Sequence, residues 1–151
     1  MRKYKLGRRA LAAFGGVLVL AGAGTRGPAL PQSRAAPTGA NEVPAADPDG
    51  AGTATVRIDA TLNTVCADLE VSGIGPATAA HIHRGAEGVN GPPVVNLDPP
   101  DGEGEDEEDC DDAGDTLTDE IRANPAGFYV NVHNAEFPEG AIRGQLMPVA
   151  D

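Results

Sequence analysis

Two stretches decide the fold: TATVRID at residues 53–59 and TVCADLEV at residues 64–71. In the first, Ala54, Val56 and Ile58 alternate with Thr53, Thr55, Arg57 and Asp59. In the second, Val65, Ala67, Leu69 and Val71 alternate with Thr64, Cys66, Asp68 and Glu70. A period of two is that of a strand with one face in a core and the other in water. Residues 59–63 between them suit a hairpin turn. The same alternation returns further on. Ala80 and Ile82 alternate with His81 and His83; Phe128, Val130 and Val132 with Tyr129, Asn131 and His133; Ile142, Gly144 and Leu146 with Arg143 and Gln145. Residues 94–97 make a short apolar strand after a Gly-Pro-Pro turn. Only residues 116–124 (TLTDEIRAN) break the pattern. They predict a short helix with Thr116 as N-cap, Asp119 and Glu120 near its positive end, and Pro125 as its stop. Six or seven short strands with turns between them predict an all-β fold, a Greek-key-like antiparallel β-sandwich. The helix–strand alternation of a parallel α/β sheet is missing.

The chain has 151 residues, enough for one ordinary domain. With no Trp, two Tyr and three Phe, its core must be built from Val, Ile, Leu and Ala. The formal net charge is −12, from 11 basic and 23 acidic residues. Phosphate needs a basic face, so the acidity argues against a sequence-independent nucleic-acid binder, and no nucleic-acid partner is expected. The charge is also uneven. Arg2, Lys3, Lys5, Arg8 and Arg9 lie at the start, and no acid precedes Glu42. Without that basic start, 6 Arg face 23 acids, a net charge of −17.

Residues 1–9 are basic, residues 10–23 are apolar and uncharged, and Ala21-Gly22-Ala23 offers small residues for cleavage. This order predicts a secretory signal peptide over residues 1–23. The apolar run is shorter than the ~20 residues that span a bilayer, so no membrane association is expected after cleavage. The Arg8-Arg9 pair also permits twin-arginine export. Residues 24–38 are rich in Pro, Gly, Ala and Ser and read as a disordered lead-in. The domain is then residues 39–148, secreted or held in the cell envelope.

Several blocks resemble the CHRD domain, the module named after repeats in chordin and also found in secreted bacterial proteins. They are Ala40-Asn41-Glu42-Val43-Pro44, Gly52-Thr53-Ala54, and Ala80-His81-Ile82-His83-Arg84-Gly85 followed by Asn90-Gly91-Pro92. Tyr129-Val130-Asn131-Val132-His133-Asn134 and Phe137-Pro138-Glu139-Gly140-Ala141-Ile142-Arg143-Gly144-Gln145-Leu146 complete the set. The resemblance implies an extracellular β-sandwich with no established enzymatic activity. In chordin-like proteins the module sits among modules that bind growth factors, a partner that does not carry over to a single domain. The partner expected here is an extracellular protein, glycan or ion.

The chain has three histidines, His81, His83 and His133. His81 and His83 are two apart, so on a strand they share a side, opposite Ile82. His133 ends the Tyr129/Asn131 side of its own strand. All three are thus expected on non-core faces, where they could converge. Imidazole binds copper and zinc, and a His-x-His strand with a distant third His supplies three ligands. The arrangement resembles the His-x-His strand of the copper-zinc superoxide dismutases, also sandwiches, and suggests a similar layout. That family uses more His and an Asp around a bridging imidazole, so three histidines fall short of its dinuclear site. The same residues also suit a structural role, bonding to loop backbone and fixing the 85–91 loop.

Arg143 is expected either to pair with Glu42 or Glu136 or to act as a solvated edge-strand charge. Asn41, Asn90, Asn131 and Asn134 read as turn organisers. Cys66 and Cys110 are the two cysteines, and export to an oxidising space predicts a bridge between them. Residues 101–115 (DGEGEDEEDCDDAGD) carry ten acids and no base. They read as a solvated acidic loop, with loose calcium binding as the functional alternative. No nucleophile–base motif or phosphate loop is present. The expectation is an exported, non-enzymatic binding or surface-matrix module, the alternative being a mononuclear copper or zinc protein using the three histidines.

Overall fold

The computed structural model describes residues 4–5, 30–102, 104–105 and 109–149, with backbone alone at 4–5 and 104–105. Its strands are β1 (Tyr4–Lys5), β2 (Gln32–Ala35), β3 (Ala51–Asp59), β4 (Thr64–Ser72), β5 (Ala77–Arg84), β6 (Pro93–Leu97), β7 (Gly104–Glu105), β8 (Asp109–Asp112), β9 (Phe128–Asn134), β10 (Ile142–Gln145) and β11 (Met147–Pro148). One sheet has the order β1-β8-β4-β3-β2-β11, with β7 also pairing β4. The other has the order β10-β9-β5-β6. All the pairings are antiparallel. The hairpins β3–β4, β5–β6 and β9–β10 each stay within a sheet, whereas the chain changes sheet between β4 and β5, between β6 and β7, between β8 and β9 and between β10 and β11. The sandwich expected from the alternation is the fold observed.

The two founding stretches form the β3–β4 hairpin in full register, from Ala51 opposite Ser72 to Asp59 opposite Thr64. Its turn is set locally: the Asp59 carboxylate accepts the Thr61 and Leu62 N–H groups, and Asn63 takes φ 56°. Ala54, Val56, Ile58, Val65, Ala67, Leu69 and Val71 face inward from this sheet. Ala80, Ile82, Val95, Leu97, Phe128, Val130, Val132 and Ile142 meet them from the other. The sheets are joined at one margin by Thr38, which exchanges both backbone hydrogen bonds with Arg143 and also bridges Ala51.

Several expectations are corrected. The helix α1 (Gly114–Ala123) starts and ends earlier than expected, with Ala113 at the N-cap position and no side-chain cap. Thr118 and Ile121 form its buried stripe, and the Thr118 hydroxyl donates to the carbonyls of Gly114 and Asp115. The helix does end ahead of Pro125, as expected, and Pro125 then opens a 3-10 turn, Pro125–Gly127. The lead-in expected to be disordered through residue 38 contains β2, ordered by pairing with β3 rather than by its own hydrophobicity. The acidic segment is not solvated throughout. Asp109–Asp112 is a strand on the edge of β4, and Asp109 and Asp111 are buried. Most of the expected signal peptide lies outside the described residues. Among the described residues no helix is long and apolar enough to cross a membrane.

Cys66 and Cys110 lie directly opposite each other on β4 and β8 and form a disulfide. The bridge staples two paired strands; it does not tie a solvated loop to the outside of one. Pairing buries Cys110 to 7 % exposure, although its sequence neighbours are acids.

Candidate metal centre

Pairing of β5 with β9 places His81 opposite Asn131 and His83 opposite Tyr129, with His133 opposite Ala79. Pairing of β9 with β10 adds Arg143 opposite Asn131 and Gln145 opposite Tyr129. Directly opposed residues share a face. His81, His83, Tyr129, Asn131, His133, Arg143 and Gln145 therefore line one surface, the outer face of the four-stranded sheet. That surface is not the solvated one the alternation implied. Tyr129, Asn131 and Arg143 are buried, because the 85–91 loop and the segment around Glu42 cover them. β9 is thus buried on both sides, and alternation of apolar with polar residues marks its two faces without saying that one is wet.

The three histidines converge, each half-buried, with one ring nitrogen from each within 4.8 Å of the others. His81 Nδ1 stands 3.1 Å from His133 Nε2. On a tetrahedral ion with metal–nitrogen bonds of ~2.0–2.1 Å, two ligand nitrogens stand about 3.3 Å apart. The ring protonation follows from what lies behind each ring. His83 Nδ1 is 2.8 Å from the Gly91 carbonyl oxygen, and His133 Nδ1 is 3.0 Å from that of Pro138. A carbonyl only accepts, so both Nδ1 atoms carry the proton and both Nε2 atoms present lone pairs. This backing is what fixes ligating histidines in metal sites. His83 Nε2 is buried and without a hydrogen-bond partner. A single proton lies between His81 and His133, in the place a cation would take.

Burial holds His81 below the ordinary imidazole pKa, and the neighbouring His133 and His83 add to this. Burial likewise depresses His83, reinforced by His133 and Arg143 and opposed by the bond to Gly91. Both rings are therefore neutral, the ligand form, at pH values where a free histidine is partly charged.

The neighbours of the trio are held by Arg143, which is 2 % exposed. It donates to Asn90 Oδ1 and to the carbonyls of Ala86 and Val89, fixing the loop that carries Gly91. Its guanidinium lies 3.4 Å from the centre of the Tyr129 ring, and the Tyr129 hydroxyl accepts the Gly91 N–H. The expected pairing of Arg143 with Glu42 or Glu136 is not what forms, and neither is a solvated edge charge. Asn90 Oδ1 and two loop carbonyls engage the guanidinium, and Thr38 covers the edge. Glu42 accepts instead from Asn131 Nδ2. Burial raises its pKa to about 7 against the lowering effects of Arg143, Asn131 and a backbone bond at Val43. Of the asparagines, Asn134 does organise a turn, accepting the Phe137 N–H. Asn131 is buried on Glu42, Asn90 is exposed but accepts from Arg143 and donates to the Val43 carbonyl, and Asn41 is exposed in the 3-10 turn Gly39–Asn41. Gly91 has a steric reason: a Cβ there would stand 1.7 Å from the Arg84 carbonyl oxygen.

Tyr129 is the site residue that sequence reasoning passed over. Its placement on the histidine side was visible, but its stacking partner depends on strand register. No calcium-type carboxylate cluster forms among the described residues; the histidine trio is the metal-competent group there. Part of the acidic segment, residues 103 and 106–108, lies outside them.

Fold and site together define a class: a two-sheet antiparallel sandwich, disulfide-stapled, with a loop-covered histidine face. The CHRD domain model matches residues 34–146, most of the chain, and the chain belongs to that family. Comparison with curated proteins and with solved structures returns no match.

Proposed function

We propose that the chain is an exported CHRD binding module whose ligand is one transition-metal ion, copper or zinc, held by His81, His83 and His133. The observation that carries this reading is the buried, unpartnered Nε2 of His83, aimed from a ring whose other nitrogen is tied to Gly91. Leaving a buried polar atom unsatisfied costs about 1–3 kcal/mol. A cation shared with His81 and His133 removes that cost. Three protein ligands leave a further coordination position for water or an outside donor. The basic and apolar start of the sequence, the disulfide and the family all support an extracytoplasmic location. The reading is of a binding protein rather than an enzyme, supported by the lack of nucleophile–base motifs in the sequence.

The test is metal analysis of untagged protein after equilibration with Zn²⁺, with Cu²⁺ and, without oxygen, with Cu⁺. One equivalent of at least one ion is expected, and His83→Ala should lose it. No stoichiometric metal under all three conditions would sink the reading.

A further inference from the structure

Resting on that metal-site reading, we infer that the trio is a site for monovalent copper, held in preference to divalent copper or zinc. The reasons are charge and coordination number. All three donors are neutral imidazoles, and no Asp, Glu or Cys among the described residues joins the group. The charged side chain whose field reaches His83 is positive. The Arg143 guanidinium lies on Tyr129, the Tyr129 ring stacks on His83 with centroids 4.8 Å apart, and the field of the guanidinium reaches His83. Each further positive charge placed in a half-buried site is penalised by desolvation, and no carboxylate among the described residues joins the three donors to offset it. A monovalent ion adds half the charge of a divalent one.

Coordination points the same way. Zinc sites are four-coordinate, and divalent copper favours a square-planar or tetragonal donor set. The described chain offers three nitrogens, so either divalent ion needs an outside ligand. Imidazole serves copper as well as zinc, and an ion satisfied by three donors needs nothing more. The redox step balances simply. Bound divalent copper gains one electron from a soluble organic reductant such as ascorbate, which is oxidised. The three imidazoles stay neutral throughout, and water or an anion in the outside position leaves.

The experiment uses the full chain with its disulfide intact. Affinities for Cu⁺, Cu²⁺ and Zn²⁺ are measured by competition with chromophoric chelators, the first without oxygen. In parallel, Cu²⁺-loaded protein is treated with ascorbate and followed by electron paramagnetic resonance and by copper content. Binding of one Cu⁺ at least tenfold more tightly than Zn²⁺ or Cu²⁺ is expected. The Cu²⁺ signal should vanish while the copper stays on the protein. Tighter binding of Zn²⁺ or Cu²⁺, or loss of copper on reduction, overturns this inference and leaves the metal site standing. Failure to bind any of the three ions overturns both.

Discussion

The His83 imidazole and the Tyr129 ring stack with planes 14° apart, and both side chains reach Gly91: His83 through its carbonyl, Tyr129 through its N–H. The stack converts the position of one loop residue into the orientation of one ligand. Tyr129→Phe keeps the ring and removes the hydroxyl. The Gly91 N–H then loses its partner, at about 0.5–1.5 kcal/mol. A small drop in melting temperature is expected, with a several-fold loss of metal affinity. An unchanged affinity would show that the loop does not need the hydroxyl to aim His83.

Gly91→Ala tests the same link by sterics. The new methyl would meet the Arg84 carbonyl oxygen, which is backbone and cannot swing away. The loop has to shift, at a cost of about 1–3 kcal/mol. The Gly91 carbonyl moves with it, freeing His83 Nδ1. Metal affinity should fall further than in Tyr129→Phe, while the β3–β4 hairpin keeps its hydrogen-exchange protection. Equal protection loss in both sheets would mean that the variant acts on the whole fold.

These two residues also mark how far the sequence could be read. Alternation located the main strands and put His81, His83, Tyr129 and His133 on a common side, because side-chain direction is a local property of a strand. It could not say that this side is buried, since the cover comes from residues 40–44 and 85–91, distant in sequence. The same limit explains Cys110 and Arg143. Cys110 sits among acids that carry no apolar signal, yet its place opposite Cys66 is set by β4. Arg143 looks like a surface charge until loop carbonyls are brought to it. Strand β2 escaped notice because its order comes from its neighbour β3.

The disulfide closes a span of 44 residues between adjacent strands, β4 and β8. Its main effect is to restrict the unfolded chain, a stabilisation of ~2–4 kcal/mol for spans of this kind. Cys66→Ser should unfold at correspondingly lower denaturant concentration. Thiol titration should find no free thiol in the native wild type and two after reduction under denaturing conditions. Free thiols in unreduced protein would refute the bridge. The metal site lies on the other sheet, so the folded variant should bind metal as the wild type does.

Glu42 gives the fold a pH dependence opposite to that of most carboxylates. Its pKa in the folded chain is about 7 against an ordinary 4.5, because burial disfavours the charge more than Arg143 and Asn131 favour it. Between those values the folded state holds a proton that the unfolded state has lost. Its contribution to stability is therefore complete below about pH 4.5, declines as pH rises through about 7, and is gone above that. His81 and His83 act in the other sense. Their depressed pKa values give a contribution present above about pH 6.5 and lost as pH falls through their folded values. Comparing wild type with Glu42→Gln cancels the histidine effect. The substituted amide keeps an acceptor for Asn131 Nδ2 and never ionises. The melting temperature of the variant minus that of the wild type should rise steadily from about pH 5 to about pH 8 and then level off. A difference that stays flat over that range would show that Glu42 ionises at its ordinary value and that its contact with Asn131 stabilises the charged form.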